Sequence, residues 1–458
     1  MASAAEQLAA NMNFGAFSKA TELHKRLLFT LGAMIVYRLG TYIPIPGINA
    51  DAFAQAFQTQ REGILGMVNM FSGGAVERMA VFALNVMPYI SASIIVQLLG
   101  AVYPPWEKLR KEGGEAGRKQ LNQYTRYLTV VLAVAQSFGI AMSLQGVAND
   151  PGLFFVLTTV TTLTGGTMFL MWLGEQVTAR GVGNGISLII FAGIVAILPS
   201  SIFQLLELTR QGQISAFLLF AILALAIVLV IFIVFMERAQ RRLLIQYPKR
   251  QQGNRMVGGE SSFLPLKVNT AGVIPPIFAS SLLLLPTTVS AMLASNPDAV
   301  PSWLGWLNTV MPFLQHGQPV FMLLYGALII FFCFFYTSIV FNPEDTAENL
   351  RKYGGFLPGI RPGKRTAEYL DYVLTRLTVI GAAYITLVCL LPEFGIAQLG
   401  QLTFVTALGG TSILIMVSVT MDTVAQIQSH LLAHQYEGLI KKAKLRGRGR
   451  GTTAPARR

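Results

Sequence analysis

Side chains that could do chemistry are few in the apolar parts of this 458-residue chain, and their spacing argues against catalysis. Cys333 and Cys389 each lie inside an apolar run and form neither a CxxC nor any other metal spacing, which reads as packing and not as a redox or zinc site. The four histidines are scattered and make no HExxH pair. The nearest approach to a phosphate-binding loop is Gly359-Ile360-Arg361-Pro362-Gly363-Lys364-Arg365. It lacks both the spacing and the terminal hydroxyl of GxxxxGK(S/T), so nucleotide hydrolysis is not expected. Charge within the apolar runs is nearly missing. Arg38 is the clearest exception, about 18 Å along its helix at 1.5 Å per residue, and snorkelling to the outer headgroups explains it more simply than a proton relay. Glu175 closes an apolar run beside Arg180 and reads as interfacial. No catalytic residue, metal site or cofactor is expected.

What the apolar runs do offer is branched aliphatic side chains at helical spacing. Val86 and Ile90 lie one turn apart on one face, as do Ile186 and Ile190. Such pairs either pack a core or constrict a pore that gates by excluding water, and composition does not choose between the two.

The elements that position these residues follow from composition. Hydrophobic residues make up 53% of the chain and charged residues 12%, with a mean hydropathy of +0.54. Soluble domains carry roughly twice that charge. Membrane helices need about 20 predominantly apolar residues, and such runs fall near 26–44, 76–100, 124–145, 152–174, 184–204, 215–236, 270–292, 319–341, 374–392 and 402–424. Residues 1–25 are polar and lack the pattern of a cleavable signal, so the first span is expected to direct its own insertion.

The net charge of +13 is unevenly placed. Connections 101–123, 237–269 and 342–373 and the tail 425–458 are rich in Lys and Arg, whereas 146–151, 293–318 and 393–401 carry almost none. Alternating basic and neutral loops predict an even number of spans with both termini in the cytoplasm. Ten spans divide into two five-helix halves, 26–204 and 215–424, which run in opposite directions as inverted repeats do. Pro88 and the Ile90-Ser91-Ala92-Ser93 that follows it echo Pro276 and Phe278-Ala279-Ser280-Ser281, each in the second span of its half. The stretch from Gly63 to Phe71 is apolar but too short to cross, and Gly73-Gly74 follows it. It is either a re-entrant helix or an interfacial one.

Specific strings then add a resemblance. Tyr42-Ile43-Pro44-Ile45-Pro46-Gly47, Met70-Phe71-Ser72-Gly73-Gly74, Met87-Pro88-Tyr89-Ile90-Ser91-Ala92-Ser93 and Trp172-Leu173-Gly174-Glu175-Gln176 occur in the first half with Gly183-Asn184-Gly185-Ile186-Ser187. Lys249-Arg250-Gln251-Gln252-Gly253, Leu264-Pro265-Leu266-Lys267-Val268-Asn269, Phe341-Asn342-Pro343 and Pro358-Gly359-Ile360-Arg361-Pro362-Gly363 follow in order. Over nearly its whole length the chain resembles the SecY family, the channel-forming subunits of the bacterial Sec protein translocase.

The resemblance implies an all-α integral membrane channel of ten helices in two inverted five-helix halves. Its narrow ring would be Val86, Ile90, Ile186, Ile190, Ile277 and Ile415. Its plug would be Gly63, Ile64, Leu65, Gly66, Met67, Val68, Asn69, Met70 and Phe71, within the segment 63–74. A lateral gate would lie between spans two and three on one side and seven and eight on the other, with Ser91, Gln97, Gln136, Asn269 and Leu285 as contacts. Lys249, Arg250, Arg255 and Arg361 would dock a motor or a ribosome. The implied partners are SecE and SecG, the SecA motor, the ribosome with its RNA, secretory and membrane-protein substrates, and anionic lipids. The implied location is the bacterial inner membrane. A secondary transporter with inverted repeats is the competing class. It requires an ionisable cluster at mid-membrane, which the spans do not contain.

Overall fold

The computed structural model describes residues 21–49, 53, 69, 71–111, 113–247, 250–252, 255–257, 261–283, 318–399 and 409–448. Within them the chain forms helices α1 (Thr21–Gly40), α2 (Met87–Val102), α3 (Pro104–Lys111), α4 (Gly114–Ser143), α5 (Leu153–Arg180), α6 (Gly185–Arg210) and α7 (Ala216–Arg238). Strands β1 (Gln240–Gln246), β2 (Arg250–Gln252), β3 (Arg255–Val257) and β4 (Ser261–Lys267) follow. The remaining helices are α8 (Ile274–Leu283), α9 (Pro319–Val340), α10 (Pro343–Lys352), α11 (Lys364–Leu399) and α12 (Gly410–Arg448).

Helix starts are encoded locally. Asn184 and Ser215 stand at the N-caps of α6 and α7, their side chains accepting from the backbone N–H groups of Ile186 and Leu218. At α10, Asn342 accepts from the Glu344 N–H, Pro343 occupies the first turn, and Arg351 and Lys352 close the last turn against the helix dipole. Among the described residues, α4, α5, α6, α7, α11, α12 and the stretch beginning with α9 are long and apolar enough to cross a membrane. The pair α2–α3, bent by 100°, makes an eighth candidate. With α1 and the short apolar α8, these helices fall on the ten expected spans.

Packing sorts the helices along the chain. α2 lies on α4, α4 on α5, α5 on α6, and α1 against both α5 and α6. In the second half α9 packs on α11, and α7 and α11 on α12. The halves meet where α6 touches α7 and α12, and where α1 touches α12. Most of α7 is exposed apolar surface, as expected of a helix facing lipid.

Two expectations change. The run 76–100 is not one helix: residues 71–86 form a chain of buried turns, and the helix begins only at Met87. Met79 and Asn85 adopt left-handed backbone (φ 45° and 49°), and Pro88 can start a helix but not continue one. Hydropathy registers burial and is blind to this turn chemistry. In addition, the connection 237–269, expected only as a basic loop of an all-α fold, carries four strands. β1 and β4 pair antiparallel from Gln240↔Lys267 to Gln246↔Ser261, and β2 pairs with β3. Alternation drives this pairing, since Leu243 and Ile245 are buried while their neighbours are not.

Close helix contact rests on a few glycines. A Cβ at Gly185 would overlap the Gly174 carbonyl oxygen of α5, and one at Gly410 would overlap the Val388 carbonyl oxygen of α11. Gly185→Ala should therefore lower stability by about 1–3 kcal/mol through overpacking, read as a reduced thermal midpoint of the detergent-solubilised protein. An unshifted midpoint would show that α5 and α6 part without cost.

Candidate functional site

The aliphatic residues singled out above share one large apolar cluster although they lie on four separate segments. Val86, Ile90, Ile190 and Ile415 are 0–6% exposed members of one apolar cluster, and Ile186 and Ile277 pack against it. Ile90 comes from α2, Ile186 and Ile190 from α6, Ile277 from α8 and Ile415 from α12, so the cluster stands where the two halves meet. Phe71 joins it from the turn segment and Phe278 from α8.

The turn segment that follows the predicted plug is held by side chains. Asn85 Nδ2 donates to the Phe71 carbonyl (2.6 Å), Tyr37 Oη to the Ser72 carbonyl (3.1 Å), and Arg38 Nη1 to the Gly73 carbonyl (2.6 Å). The segment is also closed on itself, with Gly74 N–H and Ser72 Oγ donating to the Asn69 carbonyl and Glu77 N–H to Asn69 Oδ1. Arg38 is thus no simple snorkelling residue. Its guanidinium also reaches Tyr42 Oη (2.8 Å) and lies over the Tyr42 ring, with Arg78 also over that ring (4.7 and 4.2 Å to the centroid). Gly193 of α6 lets this backbone approach, because a Cβ there would overlap the Phe71 carbonyl oxygen. Sequence reading missed Tyr37, Asn85 and Gly193. The one available signal was polar side chains retained beside an otherwise apolar run. Gly63, Ile64, Leu65, Gly66, Met67, Val68 and Met70 lie outside the described residues; Asn69 and Phe71 lie within them.

The other predicted positions among the described residues lie on α2, on α4, in the lead-in to α8 and in the basic connections. Ser91 is buried on α2, Gln97 is half-buried there and donates to Ser93 Oγ, and Gln136 is half-buried on α4. Asn269 forms a tether: its Nδ2 donates to Glu237 Oε1 (2.6 Å) and to the Gly272 carbonyl, and its Oδ1 accepts from Gly272 N–H. Tyr384 Oη of α11 also donates to Glu237 Oε1 (3.5 Å). The lead-in to α8 is thereby fastened to the end of α7. Leu285 and Lys249 lie outside the described residues. Glu175, read as interfacial beside Arg180, accepts two bonds from Arg126 of α4 (3.0 and 2.8 Å).

The two basic connections form one unit. Gln246 and Phe356 exchange backbone hydrogen bonds (2.9 and 3.0 Å), and Leu243 and Leu266 share an apolar cluster with Ala347, Leu357 and Leu370. Arg250 and Arg255 lie in β2 and β3. Arg361 is exposed between left-handed Gly359 (φ 81°) and Gly363 (φ 103°), and its carbonyl accepts from Thr366 Oγ1. Two prolines and these glycine turns leave Arg361 little freedom. Among the described residues no group of three or more His, Cys, Asp or Glu is placed to hold a metal.

Long apolar helices that share one large buried cluster, with a hydrogen-bonded turn segment folded against it, define a polytopic α-helical membrane protein. The family model SecY matches residues 80–424. The protein translocase subunit SecY of Vibrio cholerae is 53% identical over 438 residues, covering 94% of this chain and 97% of the relative. That of Pseudomonas aeruginosa is 55% identical over 435 residues, covering 94% and 96%. The chain belongs to the SecY family. In fold it is similar to a solved protein-conducting channel (TM-score 0.65, 18% identity, 89% of this chain and 92% of that one). It is likewise similar to Sec61 of a canine ribosome–channel complex (TM-score 0.62, 17% identity, the same coverage). The protein is accordingly a multi-pass membrane channel subunit and not an enzyme.

Asn269→Leu should leave the Glu237 carboxylate with Tyr384 alone of these two donors and cost about 1–3 kcal/mol. A thermal midpoint equal to that of the parent protein would dismiss the tether as decoration.

Proposed function

We propose that this chain forms the central pore of the general protein translocase, passing unfolded secretory polypeptides across the bacterial inner membrane and releasing apolar segments sideways into the bilayer. The observation that carries the reading is the convergence of Val86, Ile90, Ile186, Ile190, Ile277 and Ile415, from both halves of the chain, on one apolar cluster. An extended polypeptide brings unsatisfied backbone amides, each costing several kcal/mol in hydrocarbon, so it needs an aqueous route. That route must also seal when idle. Branched aliphatics offer no hydrogen bonds to a passing chain, so any sequence slides through, and they exclude water when the chain has left.

In this reading the segment from Gly63 to Phe71 is the plug. A neighbour in fold is a channel whose plug domain stabilises the closed state and maintains a membrane seal. The lateral gate lies between spans two and three and spans seven and eight, with Ser91, Gln97, Gln136, Asn269 and Leu285 along it. A segment apolar enough to gain free energy in lipid leaves through that seam. The two five-helix halves are inverted, and both termini face the cytoplasm.

Energy comes from outside, because the chain carries no nucleotide-binding loop. The unit built from connections 237–269 and 342–373 is the docking face for SecA and for the ribosome. Arg361 is its presented cation, supported by Lys249, Arg250 and Arg255, and basic groups suit ribosomal RNA. Solved relatives in fold include Sec61 in a ribosome–channel complex and an Ssh1 complex bound to the yeast 80S ribosome. SecE and SecG complete the complex, and the basic tail meets anionic lipid.

Ile190→Asn and Ile415→Asn should each raise idle ion conductance in planar bilayers several-fold, whereas parental conductance would remove the ring from the mechanism. A photocrosslinker at Ile90 or Ile277 should label a stalled secretory chain. Arg361→Glu should abolish motor-driven export from membrane vesicles while the complex still co-purifies, and normal export would exclude Arg361 from docking.

A further inference from the structure

We infer that Thr30, Thr178 and Gln426 are positioning residues: they hold the backbone that opens α6 and so set Ile186 and Ile190 against Ile415. The inference rests on the aliphatic-ring reading above and adds the side chains that fix its register. Backbone N–H groups at the start of a helix lack partners within it, and buried ones must find an acceptor elsewhere. Around the turn from α5 into α6, four such groups are taken by side chains. Val182 N–H donates to Thr30 Oγ1 of α1 (3.1 Å) and Gly183 N–H to Gln426 Oε1 of α12 (2.8 Å). Gly185 N–H donates to Thr178 Oγ1 of α5 (2.9 Å) and Ile186 N–H to Asn184 Oδ1 (3.2 Å). The bond to Asn184 is a local cap. The other three acceptors stand on three different helices, and those on α1 and α12 are 152 and 243 residues away in sequence.

The turn is enclosed as well as bonded. Thr30 Oγ1 donates to the Arg26 carbonyl and Thr178 Oγ1 to the Gly174 carbonyl, so each hydroxyl is oriented to accept from the turn. Gly181, Val182 and Gly183 are buried, and Val182 shares a small apolar cluster with Leu23 and Leu27 of α1 and Ile427 and Leu431 of α12. Gly183 is left-handed (φ 88°). A Cβ there would lie 2.8 Å from Leu188 Cδ1 and 3.2 Å from Thr423 Oγ1, so α12 lies directly on the turn. The two helices carry this fix to the aliphatic cluster. Ile186 and Ile190 follow within the first two turns of α6. Ile415 precedes Gln426 by eleven residues, about three turns at 3.6 residues per turn, and so stands on the same side of α12. Ile190 and Ile415 are buried members of one cluster, and α6 packs on α12. A rotation of α6 at its first turn would reach both of its isoleucines, because the hydrogen bonds of the helix keep it rigid.

The test measures idle ion conductance of the intact membrane complex in planar bilayers, with Ile190→Asn as the control for the ring. Gln426→Leu and Thr30→Val each delete an acceptor with little change of volume. Each should raise conductance about five-fold, the effect of one hydrogen bond on an equilibrium. Gln426→Glu and Thr30→Ser restore the acceptor and should bring conductance back to the parental level. Added to Ile190→Asn, Gln426→Leu should give no further rise, because it acts only through the ring. Parental conductance in Gln426→Leu and Thr30→Val, alongside a rise in Ile190→Asn, overturns the inference and leaves these bonds as supports of the fold. A rise that Gln426→Glu and Thr30→Ser share overturns it too, as does a full five-fold increment on the Ile190→Asn background. An Ile190→Asn channel as tight as the parent refutes the ring reading itself.

Discussion

Hydrocarbon does not solvate a peptide bond, and the described architecture follows from that constraint. Helices meet it internally, each N–H bonding four residues back, so a chain of this hydropathy becomes a bundle of spans. The constraint bites where the backbone leaves helical geometry inside the bundle. Residues 71–86 do so, and their polar groups are met by Asn85, Tyr37, Arg38 and by bonds such as Ile45 N–H to the Met79 carbonyl. A buried irregular segment needs partners for its polar groups, and those partners tie α1 and the lead-in to α2 together.

The same economy governs the helix contacts. Without a hydrophobic force between helices in lipid, association relies on close packing and on polar groups between helices. Gly166 faces the Val81 carbonyl, Gly185 the Gly174 carbonyl and Gly410 the Val388 carbonyl, each at a spacing that leaves no room for a methyl group. Polar ties between elements include Arg126 with Glu175, Asn269 and Tyr384 with Glu237, and Tyr325 with Thr411. The apolar cluster that both halves share includes the branched aliphatic Val86, Ile90, Ile190 and Ile415 among its buried members.

Outside the bundle a different logic holds. The paired strands β1 and β4 bury Leu243 and Leu266 against α10 and α11, and the Gln246–Phe356 bridge joins two connections far apart in sequence. This small apolar core makes one surface of what the sequence presents as two loops, and it holds the Arg361 turn on a stiff base. In the proposed function, positive charge there would serve two ends at once, favouring the cytoplasmic side for these loops and offering cations to an anionic partner.

Much of this was legible from residues alone. Runs of apolar residues with alternating basic loops located the spans, because transfer energy and loop charge are additive along the chain and independent of neighbours. The aliphatic pairs Val86/Ile90 and Ile186/Ile190 were visible as spacing, and Arg361 as a cation among prolines and glycines. The run 76–100 misled because hydropathy cannot tell a buried turn from a helix, and Arg38 misled because its acceptor, the Gly73 carbonyl, is 35 residues away. Tyr37, Asn85, Gly193 and Glu237 carry meaning only through what lies opposite them. Sequence therefore determined which segments enter the membrane and with what charge at their ends. Tertiary structure alone decided which carbonyls meet which donors, since a hydrogen bond depends on position to within a few tenths of an ångström and no local pattern encodes that.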